Sequence, residues 1–184
     1  CIRDSPNSIE LIGGENIVVK NCQLGAQPTG ITCKVQEVNK LSFINNQVYP
    51  DGRENLVLDA CNNCVIEGNN FKSYYNGILV LNGNDNTVNK NIFWLTGAVQ
   101  NQLLDHGDDF GIINVKGNNN MVASNSLSCE WAYAGAVTVN AVQGTGNVFK
   151  NCFVDNLESY RVFLVNAQTE VSNCVSSDKV SIVE

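Results

Sequence analysis

Residues Ile66–Phe71, IEGNNF, are followed 22 residues later by Val88–Phe93, VNKNIF. Each copy contains an apolar residue, two spacers, an asparagine, one spacer and a second apolar residue. Further copies are found at Phe43–Val48, Val122–Leu127 and Val148–Phe153. Self-similarity at a period of roughly 20–50 residues is the sequence signature of a solenoid or another repeat architecture.

The asparagine of this phrase defines a slot at residues 22, 46, 69, 91, 125, 151 and 173, and Cys22 occupies it in the first copy. Asparagine in one recurring slot forms a ladder of amide hydrogen bonds between coils and tolerates left-handed corners. We therefore expect a structural column without a catalytic role. Two positions further on lies an apolar column that we expect in the core, made of Leu24, Val48, Phe71, Phe93, Leu127, Phe153 and Val175.

A second short strand precedes each phrase, as in Gly77–Leu81 and Gly111–Val115. Strands this short bury their apolar faces only when coils stack on one another. The sequence therefore predicts an all-β, right-handed parallel β-helix of about seven coils, with one domain over residues 1–184 and a loop insertion at about 95–110. Because a bare β-helix end is an exposed strand edge, we expect the chain to be the C-terminal part of a longer β-helix.

Composition excludes several classes of protein. The chain has 184 residues, 43% of them hydrophobic and 16% charged, which suits a folded domain. The net charge of −7 disfavours the phosphate backbone of nucleic acids as a partner. The longest apolar runs cover only a few residues, so no membrane-spanning helix is predicted.

Eight cysteines are present, and Cys61 and Cys64 form a lone CxxC pair. A structural zinc site requires a second pair of ligands at similar spacing, which the chain lacks. A thioredoxin-like pair opens a helix, whereas Asn62 and Asn63 favour a turn. We therefore expect buried or turn cysteines and no bound metal.

Aromatic and acidic residues cluster along the edge that follows the asparagine strand. Aromatic rings cover apolar sugar faces and carboxylates hold hydroxyls, so this edge suits sugar binding. Glycoside chemistry requires two carboxyl groups. The candidate carboxyl groups along this edge are Asp105, Asp108, Asp109 and Glu130, and His106 is a candidate acid or base. The aromatic candidates for sugar binding are Tyr49, Trp94 and Trp131.

Glu10 is a further candidate. It lies between the inward residues Ile9 and Leu11 and therefore points outward, with Lys34 stacked on it in the next coil. An outward glutamate on a strand is most simply a solvated charge.

Nearly the whole chain, from about residue 9 to about residue 173, resembles the inulin fructotransferases. The resemblance is carried most specifically by Tyr49–Arg53 (YPDGR), Cys61–Cys64 (CNNC), Gly107–Gly111 (GDDFG) and Asn156–Val162 (NLESYRV). It implies a right-handed β-helix that forms a homotrimer, with active sites between subunits. It also implies secretion and the absence of a cofactor. Such an enzyme releases a cyclic difructose anhydride from inulin through attack by a fructose hydroxyl, and close relatives hydrolyse that anhydride.

The resemblance also implies roles for individual residues. Ile9-Glu10-Leu11 is similar to the family's glutamate strand, which makes Glu10 the proton-transferring carboxyl. The family's partner aspartate falls upstream of Cys1, so we expect an N-terminal fragment that completes the β-helix. The residues expected to hold a fructan or difructose anhydride substrate are Arg53, Asp108, Asp109, Trp94 and Trp131.

Three alternatives to an anhydride-forming enzyme remain open. A difructose anhydride hydrolase of the same family would carry the same carboxylates. A polysaccharide lyase or uronic-acid hydrolase is disfavoured, because such enzymes bind acidic polymers and this chain has 11 basic against 18 acidic residues. A non-catalytic carbohydrate-binding or structural β-helix is favoured by the missing aspartate.

Overall fold

The computed structural model describes residues 7–26, 30–49, 53–74, 77–96, 109–129, 137–155, 161–176 and 179–183. These residues form a parallel β-helix, which confirms the predicted fold class. Three parallel sheets run along its length, and each coil contributes one strand to each sheet in turn. Among the described residues, six coils are complete on all three sides, a seventh has strands in two sheets, and one further strand of the first sheet begins an eighth. The predicted insertion at 95–110 lies mostly outside the described residues.

The strands follow one another in the order first, second and third sheet. The first sheet contains β1 (Ile9–Glu15), β4 (Cys33–Asn39), β7 (Leu56–Asp59), β10 (Leu79–Asn82), β13 (Ile113–Val115), β16 (Val137–Ala141), β19 (Arg161–Asn166) and β21 (Val180–Val183). The second contains β2 (Val18–Lys20), β5 (Ser42–Ile44), β8 (Val65–Glu67), β11 (Thr87–Asn89), β14 (Met121–Ala123), β17 (Val148–Lys150) and β20 (Glu170–Ser172). The third contains β3 (Gln23–Leu24), β6 (Gln47–Val48), β9 (Asn70–Ser73), β12 (Ile92–Leu95), β15 (Ser126–Cys129) and β18 (Phe153–Asp155).

The core lies between the three sheets and is filled by the inward residues of alternating strands. The rings of Phe71 and Phe93 stack in successive coils, with centroids 5.0 Å apart and planes 1° apart. Phe43 extends this stack at 6.1 Å from Phe71. All three rings are fully buried, so the aromatic column is part of what holds the coils together.

The predicted asparagine ladder is present at the corner between the second and third sheets. The Oδ1 of Asn69 accepts hydrogen bonds from both the backbone and the side-chain nitrogen of Asn46, at 2.8 and 3.0 Å. Asn91 and Asn125 repeat the arrangement in the next two coils. At one end Cys22 occupies the slot, and its backbone N–H donates to Asn46. We call this column the corner ladder.

Two details of the predicted columns were wrong in the last coils. The left-handed residue precedes the ladder residue, and Asn151 and Asn173 occupy that left-handed position. Cys152 therefore stands in the ladder slot. Strand pairing aligns Leu127 with Val154, so Phe153 points outward and is 51% exposed. Val175 is likewise exposed, because one residue of shift moves a side chain to the opposite face.

A second buried ladder, which the sequence analysis missed, stands at the corner between the first and second sheets. Asn86, Asn120 and Asn147 bond to one another through their side-chain amides, at 3.0 and 3.1 Å. Cys64 begins this column and donates its backbone N–H to Asn86. The CxxC cysteines are thus buried turn residues, as expected. Burial raises the pKa of Cys64 to about 11 and also raises the pKa of Cys61.

Candidate functional site

The outward positions of the first sheet form two columns along the wall of the β-helix. One column begins Glu10, Lys34, Val57, Val80. Two residues further along the strands, the other column contains Gln36, Asp59 and Asn82. Side chains two residues apart on a strand share a face, so the two columns lie side by side on the outer wall.

A shallow groove of about 180 Å³ lies between these columns. Its floor is apolar, because Val57 and Val80 point outward and are only half-buried. Its rim is polar and carries two ammonium groups and one carboxylate. The residues of the rim are Lys34, Gln36, Asp59, Asn82 and Lys116. An apolar floor with a few placed polar groups is the usual composition of a small-ligand site.

Asp59 is held in place by two amides. The side-chain nitrogen of Asn82 donates to Asp59 Oδ1 at 2.7 Å, and that of Gln36 lies 3.4 Å from Oδ2. The three residues belong to successive coils, so the coil stacking itself orients the carboxylate. Each oxygen keeps acceptor capacity for a hydroxyl group, because a carboxylate oxygen accepts more than one hydrogen bond.

Glu10 lies on the same wall, at the side of the groove that Lys34 lines. Its Oε1 is 3.2 Å from Lys34 Nζ, and the Glu10 side chain is 45% exposed. This confirms that Glu10 points outward and that Lys34 stacks on it. The carboxylate is therefore oriented by a neighbouring cation and is open to a ligand.

Glu10 and Asp59 are held by different partners on the wall. They are two coils and two residues apart, so their Cα atoms are separated by roughly 12 Å at the usual strand spacing and rise. Glu10 pairs with Lys34, whereas Asp59 is bonded by Asn82 and Gln36. Asp59 is therefore placed to hold a ligand, whereas Glu10 requires a second carboxyl group for acid–base chemistry.

The groove ends where another segment covers the outer wall. Asn114 and Asn140 continue the Glu10 column, and Asn140 donates to the carbonyl of Asp109 at 2.7 Å. The amide of Asn114, which is only 3% exposed, bonds twice to the backbone of Gly111. The carboxylate of Asp109 forms an ion pair with Arg161 at 2.8 Å. This segment separates the open wall from the covered wall.

Gly77 makes room for the same segment. It has a φ of +77°, and a Cβ at this position would lie 2.6 Å from the ring of Phe110. The close approach of ring and backbone requires glycine here. Phe110 therefore anchors the covering segment beside the fourth coil.

The other predicted substrate residues lie in different places. Arg53 is in the stretch leading into β7, where its backbone N–H donates to Gly30 at 2.8 Å. Trp94 is on β12 of the third sheet, with Lys72 Nζ 4.4 Å from its ring centroid. The structure thus does not place Trp94 on the wall that carries Glu10. Asp108 and Trp131 lie outside the described residues, as do Asp105, His106 and Glu130.

Sequence reasoning missed Gln36, Asp59, Asn82 and Lys116. The signal that was available is the alternation of strand faces, which makes Gln36, Asp59 and Asn82 outward once β4, β7 and β10 are aligned. Composition alone does not single them out, because the groove exists only when successive coils are stacked in register.

The fold and this wall define the class of the molecule: a parallel β-helix protein with a shallow groove on its outer face, apolar in its floor and polar at its rim. The family model of the periplasmic copper-binding protein NosD matches residues 1–171. The chain therefore belongs to the NosD family. No curated protein matches the chain.

Solved structures show the same fold. DFA-IIIase from Arthrobacter chlorophenolicus A6, without its lid and in complex with GF2, is 22% identical with a TM-score of 0.79, over 96% of this chain and 47% of that one. The same enzyme in complex with DFA-III is 20% identical with a TM-score of 0.74, over 94% and 48%. The chain spans about half the length of these structures. At this identity the likeness shows the fold alone.

The described residues do not fit a copper centre of the kind that the family's name implies. Copper sites in proteins draw on clustered thiolate, thioether and imidazole ligands. Within the described ranges, no three His, Cys, Asp or Glu side chains come together. The thiols of Cys33 and Cys64 are buried in the core, and burial raises the pKa of Cys33 to about 12.

No helix in the described part of the chain is long and apolar enough to cross a membrane.

Proposed function

We propose that this chain forms the substrate-binding wall of a fructan-active enzyme, with the substrate bound in the groove of the first sheet. The observation that carries the proposal is the combination of an apolar floor, an amide-held carboxylate at Asp59 and an exposed carboxylate at Glu10 on one wall. The likeness of the fold to DFA-IIIase, whose structures contain GF2 and DFA-III, supports this substrate class.

In this proposal, the groove binds a fructose ring through two kinds of contact. The apolar face of the ring lies on Val57 and Val80, which removes carbon-bound hydrogens from water. Hydroxyl groups donate to Asp59, while Lys34 and Lys116 donate to hydroxyl oxygens. Because Gln36 and Asn82 already orient the carboxylate, little side-chain entropy is lost on binding.

Glu10 transfers the proton. In the proposed reaction it either protonates the leaving glycosidic oxygen or deprotonates the attacking hydroxyl, while a second carboxyl group takes the complementary role. The second group is the aspartate expected upstream of Cys1. Arg53, Asp108, Asp109, Trp94 and Trp131 remain predicted substrate residues.

The attacking group decides the product. Attack by a fructose hydroxyl forms a difructose anhydride, whereas attack by water hydrolyses it. A site closed by a neighbouring subunit of the predicted homotrimer would exclude water and favour the anhydride. We propose anhydride formation from inulin as the main activity, and anhydride hydrolysis as the alternative.

The test uses the natural protein that contains residues 1–184, incubated separately with inulin and with difructose anhydride. We expect Glu10→Gln to lower the turnover of either substrate by about 10²-fold or more, because a general acid or base contributes about this much. Asp59→Asn should act mainly by raising KM. The control is Glu15→Gln, on the same strand, in which Glu15 pairs with Lys40 away from the groove.

Products are read by chromatography, and the β-helix content of each variant by circular dichroism. Anhydride from inulin identifies the fructotransferase, and inulobiose or fructose from the anhydride identifies the hydrolase. Full activity in the Glu10→Gln variant would overturn the role of Glu10.

A second candidate is a non-catalytic carbohydrate-binding β-helix. The composition of the groove favours it, because Asp59 is the one carboxylate among the described residues that line the groove and glycoside chemistry needs two. In that case calorimetry would detect fructan binding that Asp59→Asn weakens, and neither substrate would be turned over.

A further inference from the structure

The corner ladder changes chemistry in the last two coils. Asn46, Asn69, Asn91 and Asn125 carry it through the middle coils, and Cys152 and Cys174 then take the same slot. The Cys152 thiol donates to the Val122 carbonyl at 3.6 Å, as the side-chain amide of Asn125 donates to the Val88 carbonyl at 3.0 Å. The thiol thus takes the place of the donating amide of asparagine.

Cys152 and Cys174 face each other directly across one coil step. Lys150 pairs with Ser172 two residues earlier, and the backbone N–H of Val175 donates to the Cys152 carbonyl at 2.9 Å. Residues paired in this way have Cα atoms about 4.8 Å apart, inside the range of roughly 4.4 to 6.8 Å that a disulfide spans. Both cysteines are free thiols, and both are buried, with 3% of Cys152 and 6% of Cys174 exposed.

The proximity of the two thiols also distinguishes them from each other. The neighbouring Cys152 thiol lowers the pKa of Cys174, while Cys174 raises the pKa of Cys152. The thiolate is the nucleophile in disulfide exchange. Cys174 lies in the coil whose second-sheet strand, β20, is paired on one side only among the described strands. Cys174 is therefore the more readily deprotonated of the two and belongs to the less supported coil.

Cys22, Cys61 and Cys64 lack this arrangement. Cys22 occupies the same slot at the other end of the ladder, but its neighbour in the column is Asn46. Cys61 and Cys64 donate to different backbone carbonyls, those of Val35 and Val38. A small buried thiol is thus compatible with the slot, and the facing of two thiols is what distinguishes the last two coils.

We propose that Cys152 and Cys174 form a dithiol site that reacts with low-molecular-weight disulfides and closes into a disulfide linking the last two coils. The Cys174 thiolate attacks the disulfide and releases one thiol. Cys152 then attacks the mixed disulfide and releases the second. The S–S bond of the reagent is reduced to two thiols, one S–S bond forms in the protein, and the two protons of the protein thiols are transferred to the products.

The bond would link coils across 22 residues, so it restricts the unfolded chain and stabilises the last coils. A loop of this length predicts a rise in Tm of roughly 5 °C or more for a protein of this size. Reduction with dithiothreitol should reverse the rise.

The experiment treats the native protein with oxidised glutathione, then unfolds it and alkylates the free thiols. We expect six of the eight cysteines of this chain to be alkylated, since two of the eight are oxidised. Peptide mapping should find the link between Cys152 and Cys174. Cys174→Ser should restore full alkylation of the other cysteines and remove the Tm rise, whereas Cys22→Ser, the matched control, should preserve both the link and the rise.

Three results would overturn the proposal. They are alkylation of all eight cysteines, a stable glutathione adduct on Cys174 as the final product, or protection of two cysteines in the Cys174→Ser variant. Because the free thiols are alkylated and counted after unfolding, the count remains valid for a variant with reduced stability.

Discussion

The corner ladder and the outer wall of the first sheet are built from the same coils, but polar side chains are buried in the corner and exposed on the wall. In the corner, Asn69 is 1% exposed and its amide bonds within the column and to a backbone carbonyl. On the wall, the Glu10 side chain is 45% exposed and bonds to Lys34, which is partly exposed. A buried polar group is costly when it loses its partner, whereas an exposed group is not. Substitutions of polar residues should therefore lower the free energy of unfolding more in the corner than on the wall.

The largest expected effect comes from breaking the corner ladder. Asn69→Leu removes the acceptor of two Asn46 donors and the donor to Phe43 O, and it leaves these buried groups without partners. We expect the free energy of unfolding to fall by about 3–5 kcal/mol, measured by urea denaturation. Asn118→Ala is the matched control, because Asn118 bonds to Asn84 in an exposed ladder. It should cost less than about 1 kcal/mol; equal losses would remove the distinction between corner and surface.

A smaller effect tests where the inner face lies in the sixth coil. Val154→Ala should cost about 2 kcal/mol, because Val154 is fully buried in the column of Leu127. Phe153→Ala should change stability by less than about 0.5 kcal/mol, since the ring is largely exposed. Thermal or urea unfolding of both variants provides the measurement. A larger loss at Phe153 would mean that the coil is shifted by one residue.

The smallest effect concerns the charged surface of β1. The hydrogen bond from Lys40 and its positive charge lower the pKa of Glu15 below its ordinary value of 4.5. A carboxyl with a lowered folded-state pKa stabilises the fold above its ordinary pKa, and this contribution is lost as pH falls through the folded pKa. As the pH is lowered below about 5, the free energy of unfolding of the wild type should therefore fall slightly more than that of Glu15→Gln. Urea titrations at about 0.1 M salt measure this difference.

High salt provides the check on this last comparison. Because Glu15 is exposed, about 1 M salt should remove the difference between the two proteins. A difference that persists in high salt would mean that the carboxylate is held by something other than its charge interaction with Lys40.

The sequence predicted the structure correctly where the type of a residue and its position in the repeat both indicated the same structural role. The asparagine slots at 46, 69, 91 and 125 predicted a ladder, because one amide can donate and accept between coils. The same reasoning missed Asn86, Asn120 and Asn147, whose spacing is obscured by the long interval between coils. It also placed Asn151 and Asn173 in the ladder, because asparagine suits the left-handed position just as well.

The candidate site was predicted in part. The alternation of Ile9, Glu10 and Leu11 indicated an outward glutamate, and coil counting placed Lys34 on it. The clamp of Asp59 by Gln36 and Asn82 could not be found in this way. Each of the three is an ordinary surface residue until β4, β7 and β10 are aligned.

By itself, the sequence determined the β-helix, the approximate coil length and the inward column of the middle coils, because side-chain alternation and the repeated asparagine are local properties. Only the tertiary structure decided which residues of different coils meet. Hydrogen bonds between coils bring together residues such as Cys64 and Asn86, 22 positions apart, or Asn120 and Gly83, 37 positions apart. A shift of one residue in any coil reverses its faces. The groove around Asp59 and the facing thiols of Cys152 and Cys174 both depend on that alignment.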